Sequence, residues 1–289
     1  MLTNFRKWLR RQFVRTVERK VPVYVPVLQG DLLKGRRALI TGGTSGIGFS
    51  IAEAFLAAGA DVIITGRDEG RLHDAVERLS PQGNVVSVVL NNDHPESFSA
   101  GLDACGDFDI LVNNAGRVGG GRIGSLDVDD YDRTMDTNLR GPVFLSQEVA
   151  RRWIRRQVKG NILNICSASS LRPGYSPYIL SKWGLRALTV GMARQLAKFG
   201  IVVNGLAPGP TSTARFMEGK GDGIERRRIP AGRLVTEKEV AGLAVVMVSG
   251  LARMVVGDVL YVTGGCGVTT VDDAFDCSEA YLRDSPMGD

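Results

Sequence analysis

From residue 37 onward, short apolar runs alternate with stretches of helical periodicity, and few folds tolerate that alternation. The apolar runs are RALIT (37–41), DVIIT (61–65), VVSVVL (85–90), the strand within FDILVNNAG (108–116), GNILNICS (160–167), GIVVNGLAPG (200–209) and GDVLYVTGG (257–265). Between the first two, GIGFSIAEAFLAAG repeats its apolar residues at helical spacing and stops at Gly59. A charged helix follows through Leu72, Val76 and Leu79, and further helices are expected over about 127–157, 175–199 and 236–249. Strands that alternate with helices of this length imply a parallel sheet, covered on both faces and joined by right-handed crossovers. No linker-like composition divides residues 35–265. The expectation is one doubly wound, Rossmann-type α/β domain of about seven strands with helices on both faces.

Two extensions flank that domain. Residues 1–34 form a basic arm: the first 20 positions hold seven Lys or Arg against one Glu. Leu2, Phe5, Leu9, Phe13 and Val17 recur there at helical spacing, so a basic amphipathic helix is expected. Such a helix suits packing within the same protein, a peripheral membrane surface or a partner protein. Residues 266–289 form an acidic tail with six acids against Arg283. Beyond residue 20 the charges nearly cancel, so the high pI belongs to the arm and gives no reason to expect nucleic acid. Four separated cysteines and two histidines offer no metal-ligand spacing, and no metal is expected. Thiols spaced this way suit a reducing, cytoplasmic setting. No apolar run is long enough for a membrane span.

The first strand runs into ALITGGTSGIGFS, residues 38–50. Gly42, Gly46 and Gly48 are spaced G-x-x-x-G-x-G between a strand and a helix start. Free backbone N–H groups at such a junction favour an anion, and small residues let a pyrophosphate approach. About 20 residues on, an NAD-preferring site usually has an acid for the ribose 2′-hydroxyl. Here Gly66 and Arg67 occupy that place. A carboxylate would repel a 2′-phosphate, whereas a guanidinium offers it a fork of donors. NADP(H) is therefore expected in preference to NAD(H).

Three more segments carry chemistry. NNAG (113–116) ends one strand, NICS (164–167) ends another, and YILSK (178–182) pairs Tyr178 with Lys182 one helical turn away. A free phenol gives up its proton only well above neutrality. A neighbouring ammonium favours the phenolate, which opens general acid–base work to a tyrosine. Taken with the glycine loop, these segments resemble the short-chain dehydrogenase/reductase family over roughly residues 35–265. TNLRG (137–141) and NGLAPGPTST (204–213) are similar to further segments of that family.

The resemblance implies an NADP(H)-dependent oxidoreductase that interconverts a carbonyl and a secondary alcohol, in the manner of a ketoreductase or 3-oxoacyl reductase. Sugar or polyol dehydrogenation is the alternative within enzymes, and a non-catalytic nucleotide sensor is the alternative outside them. It implies that Tyr178 moves the proton, Lys182 supports it and holds the nicotinamide ribose, Ser167 bonds the reacting oxygen, and Asn138 supports a water behind Lys182. Ser167 stands eleven positions before Tyr178, a shorter gap than is usual in that family, and Ser169 and Ser170 compete with it. The implied cofactor contacts are Gly42, Thr44, Ser45, Gly46, Ile47, Gly48, Arg67, Asn91, Asn114, Ala115, Gly116, Tyr178, Lys182, Pro208, Gly209, Thr211 and Thr213. Asn91 stands where an adenine-side aspartate is common, with Asp93 as its alternate, and Thr211 competes with Thr213 for the carboxamide. Thr263 replaces an acid common in the last strand. A homodimer or homotetramer is implied as well. Residues 210–233 correspond to a substrate lid, and Arg215, Lys220, Arg226, Arg227, Arg228 and Arg233, with Arg117 and Arg172, could surround an acidic substrate.

Overall fold

The computed structural model describes residues 30–267, apart from 120, 219–223 and 225–228. Seven strands form one parallel sheet: β1 (Arg37–Thr41), β2 (Asp61–Gly66), β3 (Val85–Val89), β4 (Ile110–Asn113), β5 (Asn161–Ile165), β6 (Val202–Pro208) and β7 (Val259–Val262). Their spatial order is β3-β2-β1-β4-β5-β6-β7. The chain winds outward from β1 in one direction and then restarts at β4 in the other. A ligand crevice opens at such a switch, at the carboxyl ends of the strands.

The period of two along each strand sorts the core. Ile63, Leu39, Leu111, Ile162 and Val203 stand side by side across the sheet, and all belong to one apolar layer. One position on, Ile64, Ile40, Val112 and Leu163 form the next row, in the opposite layer. Both faces are dry, which is why these strands read as unbroken apolar runs. Each buried Leu, Ile or Val contributes about 1.5–3 kcal/mol.

Helices fill the crossovers: α1 (Gly46–Ala57), α2 (Glu69–Leu79), α3 (Phe98–Cys105), α4 (Val128–Met135), α5 (Gly141–Arg155), α6 (Pro177–Leu196), the short α7 (Ala214–Met217) and α8 (Glu237–Val248). α1, α2 and α8 supply one layer, and α3, α5 and α6 the other. Gly59, at φ +88°, turns the chain out of α1 and into β2.

Three features depart from the sequence expectation. α3 occupies a stretch where no element was expected; its buried face is Phe98, Leu102 and Cys105, a helical spacing spread over only eight residues. The helical region expected over 127–157 is not uniform, because Asp136–Arg140 widens into a π-helical turn between α4 and α5. The folded body also begins ahead of residue 35 and passes 265. Leu33 is fully buried and its N–H donates to Ala58 O at 2.9 Å, while Cys266 is buried at the other end. Residues 1–29 and 268–289, and with them most of the arm and tail, lie outside the described residues.

Cys105 and Cys166 are free and buried, and Cys266 is buried. Burial pushes the Cys105 thiol up to about 11 and raises the Cys166 thiol too, so both are poor nucleophiles. Among the described residues no helix is long and apolar enough to cross a membrane.

Candidate active site

The crevice at the switch point is built first from the end of β1. The Thr41 hydroxyl accepts from the N–H groups of Asn114 and Ala115, each at 3.0 Å, and donates to Val112 O at 3.3 Å. The Asn114 carboxamide donates to Thr41 O at 2.9 Å and to Gly42 O at 3.1 Å. Asn114 and Ala115 thus form the floor under the glycine loop, and both donor hydrogens of the Asn114 amide are used by protein.

The glycines divide by what surrounds them. An added methyl at Gly42 would sit 2.9 Å from Ala115 Cα, and one at Gly43 would sit 2.6 Å from Ile64 Cγ2. One at Gly48 would overlap the Asn114 amide and the Gly42 carbonyl. Protein packing alone requires glycine at these three positions. Gly46 is different. Its φ is +60°, and a methyl there would find Glu237 Oε1 at 3.7 Å and Thr213 Cγ2 at 3.9 Å.

The helix that begins at Gly46 has a bare start. Its N-cap Ser45 makes no capping bond, and its first turn holds no acid. By contrast, Asp68, Asp127 and Thr236 cap α2, α4 and α8, each followed by an acid in the first turn. Among the described residues the first N–H groups of α1, around Ile47, have no side-chain acceptor, and they suit an anion from outside. Gly66 lies close by, since a methyl there would reach Thr44 Cγ2 at 3.4 Å. Arg67 follows, exposed and without an ion pair among the described residues. At the end of β3 the Asn91 carboxamide oxygen accepts from Asp93 N at 3.1 Å. Asp93 itself accepts from the Thr137 hydroxyl at 2.6 Å, so the alternate is tied to the π-helical turn.

The reacting end is built on α6. Ser176 caps the helix, Pro177 opens it, and Tyr178 follows in the first turn. One turn on, Lys182 is 6% exposed. A buried ammonium needs partners: its Nζ donates to Ile165 O at 2.8 Å and lies 5.8 Å from the centre of the Tyr178 ring. Ser167 follows two residues after that carbonyl, and its hydroxyl accepts from Ser169 N at 3.1 Å. Ser170 is eliminated as its competitor, because it is fully buried and donates to Ser167 O at 2.7 Å. Ser169 is not: it lines, with Tyr178, a cavity of about 390 Å³ between the segment after β4 and the start of α6.

Asn138 sits in the π-helical turn, fully buried. Its Oδ1 accepts from Arg117 N at 2.8 Å, and its Nδ2 donates to Arg117 O at 2.9 Å and to Ser181 Oγ at 3.1 Å. Gly116 joins the two ends of the crevice: a methyl there would lie 3.4 Å from Asn138 Oδ1 and 3.9 Å from Lys182 Nζ.

Beyond β6, Pro208 pairs with Val262 and Gly209 N donates to Val262 O at 2.8 Å. Thr211 is buried and donates to Gly209 O at 2.9 Å. Thr213 faces Gly46 and caps α7, accepting from Phe216 N at 3.2 Å. Thr263 accepts from Gly267 N at 3.2 Å.

Of the cations expected to surround an acidic substrate, two are ion-paired among the described residues. Arg117 pairs with Asp130 at 3.0 Å and Arg233 with Glu239 at 2.7 Å. Arg172 is exposed. Lys220, Arg226, Arg227 and Arg228, and the side chain of Arg215, lie outside the described residues.

Two residues not selected from sequence belong to this crevice. Glu237 leans on the first turns of α1, where Ser50 Oγ donates to its carboxylate at 3.4 Å. Burial pushes that carboxyl above its ordinary range, Ser50 pulls it back, and Glu53 adds to the rise. Arg122 lines the cavity beside Tyr178. Neither stands in a motif, so only the fold brings them here.

The comparisons agree with this geometry. The family model described as Enoyl-(Acyl carrier protein) reductase matches residues 42–267. Gluconate 5-dehydrogenase of Gluconobacter oxydans is 36% identical over 248 residues, which is 82% of this chain and 96% of that protein. The 3-oxoacyl-(acyl-carrier-protein) reductase of Vibrio harveyi is 33% identical over 241 residues, covering 81% of this chain and 98% of the relative. Among solved structures, a gluconate 5-dehydrogenase from Burkholderia cenocepacia in complex with NADP and tartrate superposes with a TM-score of 0.76 at 34% identity, over 82% of this chain and 97% of that one. The chain belongs to the short-chain dehydrogenase/reductase family and is an oxidoreductase of the carbonyl/alcohol pair.

Proposed function

We propose that the chain reduces a small carbonyl compound to a secondary alcohol with NADPH in preference to NADH, and that Tyr178 is its acid–base group. The observation that carries this reading is the placement of Lys182. Its buried ammonium is fixed on Ile165 O at 2.8 Å and stands beside a tyrosine that opens into the cavity.

The dinucleotide, when bound, supplies hydride to the carbonyl carbon or accepts it from the alcohol. The protein would hold its diphosphate at the bare start of α1, on Thr44, Ser45, Gly46 and Ile47. Arg67 would hold a 2′-phosphate, Asn91 the adenine, and Thr213 or Thr211 with Pro208 and Gly209 the nicotinamide side. Tyr178 Oη gives its proton to the carbonyl oxygen as that oxygen becomes an alcohol. Ser167 or Ser169 donates a hydrogen bond to the same oxygen. Lys182 favours the phenolate that Tyr178 becomes, and Asn138 fixes the chain behind Lys182.

The gluconate 5-dehydrogenase relative favours a second reading, oxidation of a sugar acid or polyol by the same residues in reverse. Exposed apolar side chains on α5 and α6, among them Phe144, Trp183 and Val190, support pairing of these helices in a homodimer or homotetramer. A cytoplasmic setting suits the buried free thiols of Cys105 and Cys166.

The test is a panel of ketones, keto-sugar acids and acyl thioesters, assayed with NADPH and with NADH. The expected result is product alcohol, formed faster with NADPH at limiting cofactor. A protein that binds NADPH yet turns over no member of the panel would support a sensor instead.

A further inference from the structure

The cavity beside Tyr178 contains one charged lining residue among the described residues, Arg122, and no acid. Arg122 is exposed and makes no ion pair among them. Its position is nonetheless defined. The neighbouring Ile123 N–H donates to Tyr175 O at 3.0 Å, which ties the segment after β4 to the approach to α6. The guanidinium lies 5.4 Å from the centre of the Tyr175 ring, and Tyr175 also lines the cavity. A guanidinium resting on an aromatic face keeps its outer edge free for a bidentate acceptor. Another arginine candidate, Arg117, is already paired with Asp130, a carboxylate it shares with Arg133.

We infer that Arg122 is the specificity residue of this site and binds the carboxylate of a small keto acid or hydroxy acid whose carbonyl or hydroxyl carbon is presented to Tyr178. This rests on the carbonyl/alcohol reading above and names its substrate class. Size favours a carboxylate on the reacting molecule itself. At about 390 Å³ the cavity is at the small end of ligand sites, and the charged group and the reacting group must share it. A phosphate on a long acyl-carrier arm would lie outside. Neutral carbonyl compounds would leave the guanidinium without its charged partner, at a loss of about tenfold to a hundredfold in affinity.

The experiment compares 5-keto-D-gluconate with its neutral counterpart L-sorbose and with acetoacetyl-coenzyme A, using wild type, Arg122→Gln and Arg122→Lys. Turnover with NADPH is measured, and binding of the keto acid is titrated by protein fluorescence in the presence of NADP⁺. Wild type is expected to favour the keto acid through KM. Arg122→Gln should lose at least tenfold more in kcat/KM for the keto acid than for sorbose, with the loss in KM, and Arg122→Lys should recover part of it. Binding by titration should weaken to the same extent whether or not turnover occurs, so a failure of the carbonyl reading remains separable from a failure here. Equal losses for acid and neutral compounds, keto-acid binding that is absent or unchanged in Arg122→Gln, or a thioester preference that depends on Arg122 would each overturn the assignment.

Discussion

The carboxamide of Asn138 grips the peptide of Arg117 from both sides, accepting from its N–H at 2.8 Å and donating to its C=O at 2.9 Å. A third bond, to Ser181 Oγ at 3.1 Å, ties the same side chain to the residue preceding Lys182. Asn138 is therefore a brace between the segment after β4 and α6, the helix that carries Tyr178 and Lys182. Asn138→Ala leaves the part-buried N–H and C=O of Arg117 without this partner, at a cost of about 0.5–1.5 kcal/mol for each bond. The expected outcome is a lower melting temperature and a fall in kcat larger than the change in NADPH affinity. A variant with wild-type melting and kcat would contradict the brace.

Arg67 has no carboxylate partner among the described residues and follows Gly66, where an added methyl would reach Thr44. Arg67→Gln should weaken NADPH by about tenfold or more, the worth of a charge-assisted hydrogen bond, and NADH by much less. Dissociation constants for both nucleotides check this, and equal weakening would place the 2′-phosphate elsewhere.

Glu237 bears on the same cradle. Burial raises its carboxyl above the ordinary range, and a diphosphate nearby would raise it further. NADPH binding should then take up a proton, and affinity should fall as pH rises through the range in which Glu237 ionises. Glu237→Gln should remove that component and tighten NADPH about fivefold at alkaline pH, as removal of a nearby like charge does. Affinity measured across pH for both proteins decides it; parallel pH profiles would be the contrary result.

Away from the cofactor, the Arg233–Glu239 pair anchors the end of the 210–233 segment. Arg233 holds the Glu239 carboxyl down at about 2, helped by the Thr236 N–H and hydroxyl. Because the folded value is depressed, the contribution is present above the unfolded carboxyl range and lost as pH falls from about 4.5 toward 2. It is of the order of 2–3 kcal/mol. Glu239→Gln should be destabilised relative to wild type at neutral pH, with the gap closing in that acid window; a gap independent of pH would contradict it.

The sheet was legible in the sequence because strands buried on both faces are written as continuous apolar runs, as in β1 and β2. Tyr178, Lys182 and the glycine loop were legible because fixed local spacing carries their chemistry. α3 was not, since eight residues show too few repeats to declare a period. Nor was the π-helical turn that turns Asn138 inward, which has no residue signature of its own. Gly42, Gly43 and Gly48 could be assigned to the cradle, but the close approach of Ala115, Ile64 and Asn114 from distant positions in the chain could not be read there. Arg122 and Glu237 reach the crevice only through the fold, and Arg117 and Arg233 are paired with Asp130 and Glu239, partners that no motif announces.

The most direct measurement is the rate of carbonyl reduction by Tyr178→Phe at saturating NADPH, read beside its NADPH dissociation constant. Removal of one hydroxyl should leave nucleotide affinity near that of wild type and lower kcat by about 10²–10⁴-fold, the usual worth of general acid–base catalysis. A phenylalanine variant that reduces the same substrate within a few-fold of the wild-type rate would contradict the assignment of the proton to Tyr178.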